Sequence, residues 1–520
     1  MRRLTIILWF FLFSLFFLLA ISGCGPAAPG RVGDPGPNLI ILQAALPERL
    51  DPAISSHFAT ALPLTGIYEG LVRFNQRTLA VEPCLAESWR VSDDGKRWIF
   101  QLKPGLLFSD GSPCDAEAVK AGLSRSMVLM ESQPYCNLVF SPVAAIETDG
   151  PQTVTFVLKY PFAPFLRNLA LPFASPVVSP GALGRYGDRF WEHPSGTGPY
   201  MLKEITANEI VLQPNPVYRD KQPFKGNLLF RAVPDPRERV KQLLDGRADI
   251  VFDPARQDLD RIALRDMKIT SLPGLDVSYL GFFTDKPPFD NKLVRRAVAY
   301  ALDRERIVAA ALGGEGVPAA GLAPPPVLAG KSSGPPRYTP DQVRRILARE
   351  GYPGGIEATL ITYRESRRYC PPGGIRLAEE IKRQLEPAGV RVTVQSRPWS
   401  EHKEAINSKA GNFFLYGWTG DNGDADNFLY TLLASSQAGQ GLNASGFKNE
   451  RLDVFLHTAR RVSDQKSREY LYSQAESIIL DEVPLSPLNH SLIRVASRPG
   501  VENLFMSGFG LIDLYALTRR

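Results

Sequence analysis

The pattern of apolar and polar positions predicts an antiparallel sheet in the first part of the chain. Residues 39–42 are continuously apolar, which is typical of a buried strand. Residues 97–102 follow the turn signal DDG at 93–95, which favours a hairpin, and residues 153–159 alternate polar with apolar side chains. Because such alternation leaves one apolar face to be covered, we expect a helix to lie beside this sheet.

The second half of the chain has a different pattern, in which longer helices alternate with single strands. Apolar residues recur at helical spacing over 294–301 and at every fourth position over 377–385. Residues 390–395 then alternate apolar with polar, and residues 413–416 are continuously apolar. This alternation predicts an α/β region with a largely parallel sheet.

The N-terminus predicts export from the cytoplasm. Arg2 and Arg3 precede an apolar run at 4–21, which is the pattern of a secretory signal peptide. The small residues before Cys24 resemble a bacterial lipobox. That resemblance implies that the signal peptide 1–23 is removed and that acyl chains on Cys24 hold the protein at a membrane surface. An uncleaved transmembrane anchor is the alternative, because the apolar run is nearly long enough to span a bilayer.

A tether and a large soluble body are expected after the anchor. Residues 24–37 are too rich in proline and glycine for regular structure, so the folded body should begin near Asn38. Its length predicts roughly two to four domains, and no later segment is apolar enough to cross a membrane. The net charge of +6 is weak and has no basic run interleaved with aromatic residues, which argues against nucleic acid as a partner.

Motifs of catalysis and metal binding are few. The sequence has neither a phosphate-binding GxxxxGK nor an HExxH zinc pair, and its 5 histidines lie far apart. We therefore expect no catalytic residues, no cofactor and no bound metal. Cys84, Cys114, Cys136 and Cys370 lack the close spacing of a zinc or redox motif. They are interpreted either as disulfide partners or as small buried side chains.

Five segments occur in an order that resembles family 5 of the bacterial extracellular solute-binding proteins. They are YEGLV at 68–72, LAESW at 85–89, GLLFSDG at 105–111, GTGPY at 196–200 and VRRAVAYALD at 294–303. That family serves peptide and nickel importers of the ATP-binding-cassette (ABC) class. The resemblance implies an α/β, two-lobed periplasmic-binding-protein-like fold of class II, with an extra inserted domain and a hinge.

The resemblance also implies three domains in the mature chain. Domain I combines residues 38–67, 196–275 and 492–520, domain II is the insertion 68–195, and domain III is 276–491. Domains I and II are expected to form one lobe and domain III the other. Ligand binding should stabilise a closed state, because only closure brings groups from both lobes onto the ligand.

The segment GWTGDNGDADNF at 417–428 resembles the dipeptide-binding branch of the family. This implies that Asp421, near Trp418, receives the α-ammonium group of the ligand, and that backbone groups of Gly417 and Thr419 pair with an extended peptide. The chemistry agrees with the likeness. A carboxylate just past the C-terminal end of a strand lies where open α/β sheets bind ligands, and it is ionised at neutral pH.

The other end of the ligand is assigned by likeness to the segment SRRYCPP at 366–372. There Arg367 resembles the family arginine that binds the peptide carboxylate, which a guanidinium can hold through two parallel hydrogen bonds. Arg364 and Arg368 are close enough to leave that register open. Cys370 stands where the family usually has Asn.

Three further polar residues are interpreted from the sequence, one as a ligand contact and two as turn residues. Ser56, in a polar loop near the N-terminus, is expected to contact the ligand. Asp424 and Asp426 are interpreted as solvated residues of an acidic turn, because Asp favours turns for reasons of its own.

The sequence therefore predicts the substrate-binding lipoprotein of an ABC importer, a monomer that captures short peptides, above all dipeptides, and delivers them to the permease subunits. It is expected in the periplasmic space or at the cell surface, lipid-anchored to a membrane. Three alternatives stay open: a family member for nickel chelates or haem, a secreted hydrolase, and a structural or chaperone-like lipoprotein.

Overall fold

Helices and strands alternate along the part of the chain that the computed structural model describes, residues 38–220, 224–328, 334–440 and 442–520. The strands are β1 (Leu39–Gln43), β2 (Val72–Phe74), β3 (Val81–Pro83), β4 (Ala86–Val91), β5 (Arg97–Leu102), β6 (Val143–Asp149), β7 (Thr153–Leu158), β8 (Tyr200–Ile205), β9 (Glu209–Pro214), β10 (Leu228–Ala232), β11 (Ile250–Phe252), β12 (Lys268–Pro273), β13 (Asp276–Phe282), β14 (Gly316–Pro318), β15 (Ile356–Tyr363), β16 (Val390–Arg397), β17 (Phe413–Thr419), β18 (Leu485–Ser497), β19 (Val501–Glu502) and β20 (Thr518–Arg519). The α-helices are α1 (Phe58–Ile67), α2 (Ala116–Val128), α3 (Pro134–Phe140), α4 (Phe165–Leu169), α5 (Pro180–Tyr186), α6 (Pro236–Leu244), α7 (Leu259–Ala263), α8 (Lys292–Tyr300), α9 (Arg304–Ala311), α10 (Pro340–Arg349), α11 (Gly374–Leu385), α12 (Trp399–Asn407), α13 (Ala425–Leu433), α14 (Glu450–Arg461) and α15 (Gln465–Glu482).

The predicted signal peptide, the tether and the lipidation residue Cys24 lie outside the described residues. Among the residues that are described, no helix combines the length and the apolar character needed to span a bilayer.

One large mixed sheet runs through the molecule. Within the described chain it has 12 strands, with the path β16-β15-β17-β13-β18-β11-β1-β10-β9-β8, and β12 and β14 also pair with β18. The predicted α/β class is confirmed, but the largely parallel sheet expected for the second half is wrong. The helices α11 and α12 supply the crossovers that make β15, β16 and β17 parallel. The strands β13, β14 and β18 come from distant parts of the chain and pair antiparallel.

The predicted antiparallel sheet is confirmed for the segments 97–102 and 153–159, whereas residues 39–42 form β1 of the large sheet and pair parallel with β10 and β11. The antiparallel sheet consists of β4, β5, β7 and β6 in that order, and the DDG turn joins β4 to β5. The helix α2 lies beside it, in contact with β6 and β7. This helix begins at Asp115, whose side chain accepts a hydrogen bond from Ala118 N, and it buries Val119 and Leu123 on one face.

The two chain crossings between domains I and II pack against each other. A Cβ atom on Gly196 would overlap the carbonyl oxygen of Ile67, so only glycine fits there. Glu69 is buried at the same junction. It accepts hydrogen bonds from Arg219 Nη1 at 2.6 Å, from Arg219 Nη2 at 3.0 Å and from Thr197 Oγ1 at 2.9 Å. The YEGLV and GTGPY segments thus join the two domains.

The strand β18 passes from domain III into domain I without a break. It pairs with β13 and β14 as far as Ser491, and with β12 from Leu492 onward, so its partners change at the predicted boundary. Asp276 is buried beside this point and accepts hydrogen bonds from Ser491 Oγ and, at 2.8 Å, from Ser491 N. His490 Nδ1 lies 2.6 Å from the Asp276 carbonyl oxygen. Residues 38–520 form one compact unit, and their division into three domains stays a prediction.

The cysteines of the described chain are Cys84, Cys114, Cys136 and Cys370, and all of them are buried and free of disulfides. Burial raises the pKa of the Cys370 thiol to about 11. A thiol with this pKa is protonated at neutral pH, so the structure agrees with the interpretation as small buried side chains.

Candidate ligand-binding site

The two predicted end contacts leave the domain III sheet at the same edge. The strands β15 and β17 run parallel, and β15 leads into the loop with Arg367 while β17 leads into the loop with Asp421. The carboxyl ends of parallel strands form the edge at which open α/β sheets bind ligands. Within the described chain, no hydrogen bond or ion pair joins these two side chains directly.

The half-buried Asp421 has neutral partners. Its Oδ1 accepts a long hydrogen bond of 3.5 Å from the Tyr135 hydroxyl, and its Oδ2 accepts one of 3.3 Å from Asn427 Nδ2. Asn427 Oδ1 accepts from Asp421 N at 3.1 Å and from Trp418 Nε1 at 2.9 Å, which fixes the loop. Burial raises the pKa of Asp421, and no cation of the described chain offsets that burial. The carboxylate is therefore suited to a positive charge from a ligand.

The strand β17 has an open backbone edge next to Asp421. The strand β13 covers one side of β17 along its whole length, whereas β15 pairs with the other side only near the start of β17. Gly420 N donates to Leu275 O on the β13 side at 2.7 Å. Because backbone groups alternate in direction along a strand, Gly417 and Thr419 direct theirs to the other side. The predicted backbone contacts thus face a side on which no strand of the described chain pairs with them.

Arg367 lies half-buried on the neighbouring loop. Its guanidinium stacks on the Trp399 ring, 3.6 Å from the ring centroid, and its Nε is buried without a hydrogen-bond partner in the described chain. The Tyr369 hydroxyl is also buried and unpartnered there, and the Tyr369 ring packs over Gly417. Buried polar groups without partners are rare in folded proteins. Each of the two groups therefore keeps an unused hydrogen bond.

Arg368 extends toward domain I instead. Its Nη2 donates to the carbonyl oxygen of Phe509 at 3.3 Å, and its Nε lies 3.7 Å from Asp276 Oδ2. The same side chain lines a cavity of about 880 Å³ between domains I and III. The structure thus gives different surroundings to two neighbouring arginines that the sequence could not tell apart, Arg367 on Trp399 and Arg368 at the cavity.

The cavity also meets the carboxyl ends of parallel strands in domain I. Gln43 ends β1, Phe252 ends the parallel strand β11, and both line the cavity together with Asp253. Both lobes therefore turn the ligand-binding edge of a parallel set of strands toward the same space. Asp421 and Arg367 are not among the lining residues, so the predicted end contacts lie outside this cavity.

Ser56 lies two residues before α1, in the segment that is predicted to belong to domain I. Phe58, at the start of α1, stacks on Phe509 with ring centroids 4.6 Å apart and meets Tyr135 edge-on at 6.3 Å. The half-buried Ser56 is thus close in sequence to the aromatic group that includes the partner of Asp421. The structure does not bring it into hydrogen-bond contact with Asp421, and its role stays a prediction.

The interpretation of Asp424 and Asp426 as solvated turn residues is wrong. Asp424 is 3% exposed and accepts hydrogen bonds from Arg468 Nη1 at 2.9 Å and Nη2 at 2.7 Å. Burial alone would raise the pKa of Asp424, but Arg468 outweighs it and holds that pKa below its ordinary value. Asp426 lies 3.1 Å from Arg460, and burial raises its pKa to about 7. These two carboxylates fix the start of α13, beside the loop that carries Asp421.

Sequence reasoning missed three residues of this site. Tyr135 belongs to domain II, and nothing in its local sequence indicates a contact with Asp421. Asn427 and Tyr369 lie inside the segments 417–428 and 366–372, but their positions in the fold, and not their spacing, show that they contact Asp421 and Gly417.

The fold and the cleft define a two-lobed solute-binding protein, in which two α/β bodies share a sheet and face each other across the carboxyl ends of their strands. Residues 80–440 match the family described as bacterial extracellular solute-binding proteins, family 5 Middle. The chain belongs to this family of solute-binding proteins of ABC transporters, and the predicted family and fold are confirmed.

Relatives within the family are named for several ligands. The chain is 29% identical over 482 residues to Heme-binding protein A of Haemophilus influenzae, which covers 87% of this chain and 86% of that protein. It is 30% identical over 460 residues to the glutathione-binding protein GsiB of Escherichia coli, with 87% and 88% covered.

Solved structures of other binding proteins also match nearly the whole of this chain. HbpA2 from Haemophilus parasuis has a TM-score of 0.87 at 26% identity, with 93% of this chain and 100% of that chain covered. A dipeptide binding protein from Pseudoalteromonas sp. SM9913, solved in complex with Met-Leu, has a TM-score of 0.70 at 26% identity and the same coverage.

Proposed function

We propose that this solute-binding protein captures short peptides, above all dipeptides, in the cleft between its lobes and delivers them to the permease of an ABC importer. The observation that carries the proposal is the environment of Asp421, a desolvated carboxylate at the carboxyl end of β17 whose hydrogen-bond partners Tyr135 and Asn427 are neutral. A desolvated charge without a counter-ion is costly, so a cation from outside stabilises this site. The α-ammonium group of a peptide supplies that cation.

The rest of the peptide main chain binds along the same edge of the sheet. Backbone groups of Gly417 and Thr419 face a side without a strand partner in the described chain, where an extended peptide pairs as an added strand. Arg367, stacked on Trp399 with an unpartnered Nε, receives the C-terminal carboxylate. Each added residue lengthens an extended ligand by about 3.3–3.6 Å, so two fixed end contacts select for length.

The cellular setting is part of the same proposal. Arg2, Arg3 and the apolar run 4–21 favour export, and the lipobox-like sequence before Cys24 favours a lipid anchor. We therefore place a monomeric protein in the periplasmic space or at the cell surface, where it passes its ligand to the permease subunits.

Titration calorimetry on the mature protein tests the peptide proposal. We expect Ala-Leu to bind more tightly than Ala-Leu-Ala or a pentapeptide, and we expect N-acetylation or C-terminal amidation of Ala-Leu to weaken binding strongly. Equal affinity for dipeptide and pentapeptide would assign the protein to an oligopeptide branch. The absence of binding to every peptide would contradict the proposal as a whole.

Haem is the second candidate ligand, and the cavity is the observation that favours it. Its volume of about 880 Å³ lies at the upper end of the range of small-molecule sites, and Phe252, Met506 and Phe509 give it apolar lining. A titration of haemin followed by absorbance distinguishes the candidates. The peptide proposal predicts that haemin neither changes its spectrum with the protein nor displaces Ala-Leu. For nickel chelates no such observation exists, since the described residues contain no group of three or more His, Cys, Asp or Glu side chains placed to hold a metal.

A further inference from the structure

The cavity between domains I and III is larger than the proposed main-chain contacts require. A dipeptide held between Asp421 and Arg367 leaves it unexplained, because neither residue lines it. Arg368 connects the two regions. It donates to the carbonyl oxygen of Phe509, which lines the cavity. The Phe509 ring stacks on Phe58, whose ring meets that of Tyr135, the partner of Asp421. Burial and Asp421 raise the pKa of the Tyr135 hydroxyl, and the charge of Arg368 opposes them. Part of a ligand bound at Asp421 can therefore extend past Arg368 into the cavity.

Charged side chains on the cavity wall leave arginine in excess. Arg256, Arg368 and Arg494 line it, against the carboxylates of Asp253 and Glu315. Arg494 and Glu315 neutralise each other through an ion pair.

The Arg256 side chain is exposed and has neither a hydrogen bond nor an ion pair within the described chain. Its guanidinium lies beside Gly314 of domain III, next to the cavity-lining Glu315. Arg368 has one 3.3 Å bond to a carbonyl oxygen, and its nearest carboxylate is 3.7 Å away, so most of its donors are unused.

The carboxylate of Asp253 already has positive surroundings. Burial raises the pKa of Asp253, while the charges of Arg239, Arg368 and Arg494 act together to lower it. Arg239 donates to the Asp253 carbonyl oxygen at 3.2 Å and so holds the backbone of this residue in place. No hydrogen bond or ion pair within the described chain joins the Asp253 carboxylate to Arg256 or Arg368, so both guanidinium groups keep free donors for a negatively charged group.

We propose that this cavity is an anion-binding subsite, and that the ligand is a short peptide with a side-chain carboxylate in addition to its C-terminal one. Arg256 from domain I and Arg368 from domain III hold the side-chain carboxylate, while Asp421 holds the ammonium group. Because the two arginines belong to different lobes, an acidic side chain also joins the lobes. This inference rests on the proposed peptide-binding function and names the class of peptide.

Isosteric peptide pairs test the subsite. Calorimetry compares Ala-Glu with Ala-Gln and Glu-Ala with Gln-Ala, which differ only in the side-chain charge. For the wild type we expect a preference of roughly tenfold or more for the acidic member of at least one pair. Arg256→Gln and Arg368→Gln should each remove most of that preference, measured as the ratio of the two dissociation constants within a pair. Arg265→Gln is the matched control, because Arg265 is exposed on domain I and does not line the cavity.

The outcomes separate this inference from the proposed function. Binding of all four peptides without an acidic preference overturns the subsite and leaves peptide capture standing. A preference that survives in both cavity variants also overturns it, because other residues then bind the side-chain carboxylate. Binding of none of the four peptides overturns both the subsite and the peptide function. Circular dichroism melts of each variant show whether a loss of preference comes with an intact fold.

Discussion

The hydroxyl of Tyr135 reaches the carboxylate of Asp421 at 3.5 Å, although the two residues are 286 positions apart in the sequence. Tyr135 lies in domain II, where its ring packs against Phe58 and Phe173 with centroids 6.3 and 4.7 Å away. The contact makes the predicted inserted domain part of the proposed ligand site. It also gives the carboxylate a neutral hydrogen-bond donor that a peptide ammonium group can join or replace.

Tyr135→Phe is expected to weaken peptide binding most at acidic pH. Burial raises the pKa of Asp421 and the Tyr135 hydroxyl opposes this, so removing the hydroxyl raises that pKa further. An ammonium group binds the ionised carboxylate, so the loss of affinity on acidification should begin at a higher pH in the variant. At neutral pH the cost should be about 1 kcal/mol, roughly fivefold. Calorimetry over a pH series measures this.

The control for that experiment is Tyr470→Phe, since Tyr470 is 64% exposed on α15. Its pH profile should superimpose on that of the wild type. If the Tyr135→Phe profile does so as well, the hydroxyl has no effect on the ionisation of Asp421.

Asp421→Asn is expected to weaken the binding of dipeptides with a free amino group by roughly 100-fold or more, because removing one member of a buried charge pair costs about 3–5 kcal/mol. The N-acetylated dipeptide has no ammonium group, so its weaker affinity should be the same for variant and wild type. Calorimetry with both ligands checks this. A parallel loss for the two ligands would indicate a damaged fold and not a missing counter-ion.

Three arginine variants determine which side chain binds the C-terminal carboxylate. Arg367→Gln should abolish the preference for a free C-terminus over a C-terminal amide, because its guanidinium is held flat on Trp399 with an unused Nε. Arg364→Gln and Arg368→Gln should retain that preference. Dissociation constants for the acid and the amide of one dipeptide give the answer. Loss of the preference in Arg368→Gln alone would shift the register by one residue.

Asp424→Asn is expected to lower the free energy of unfolding by about 3–5 kcal/mol, since it leaves Arg468 buried without its partner. The folded-state pKa of Asp424 is held below its ordinary value, so its stabilisation is fully present above that ordinary pKa. The stabilisation is lost as the pH falls through the folded-state pKa. The variant should therefore lose less stability than the wild type on acidification. Urea unfolding at several pH values measures both effects, and the exposed residue Asp93 supplies the control variant Asp93→Asn.

Cys24→Ser is expected to release the protein from membranes without changing its affinity for peptides. Cys24 is the first residue of the predicted tether 24–37, so this substitution changes no residue of the folded body. Membrane fractionation and a binding titration on the same preparation measure the two properties. Retention of the variant in the membrane fraction would favour the uncleaved transmembrane anchor.

The sequence was sufficient to predict individual strands, because apolar runs and alternation within a segment depend on neighbouring residues only. The apolar run of β17 and the acidic loop after it place Asp421 at a strand end, and alternation identified β7 and β16. The sequence could not show that Asp424 is paired while Asp421 is not. The partner of Asp424 is Arg468, which is 44 positions away and donates two hydrogen bonds to it.

Contacts between distant segments account for the remaining errors. The expectation of a largely parallel sheet failed because β13 and β18 enter it from distant parts of the chain, which periodicity within a segment cannot indicate. The contact between Tyr135 and Asp421 is of the same kind, since it depends on how domain II meets domain III.

The continuous strand β18 limits how the lobes can move. Its first part is hydrogen-bonded to domain III and its second part to domain I, with the change at residues 491–492. A strand bonded on both sides of this point has few soft torsions, so the lobes can rotate mainly by changing its local twist. The direction in which Arg256 of domain I approaches Arg368 of domain III is therefore a property of the backbone, and substitutions in the cleft should change affinity without redirecting closure.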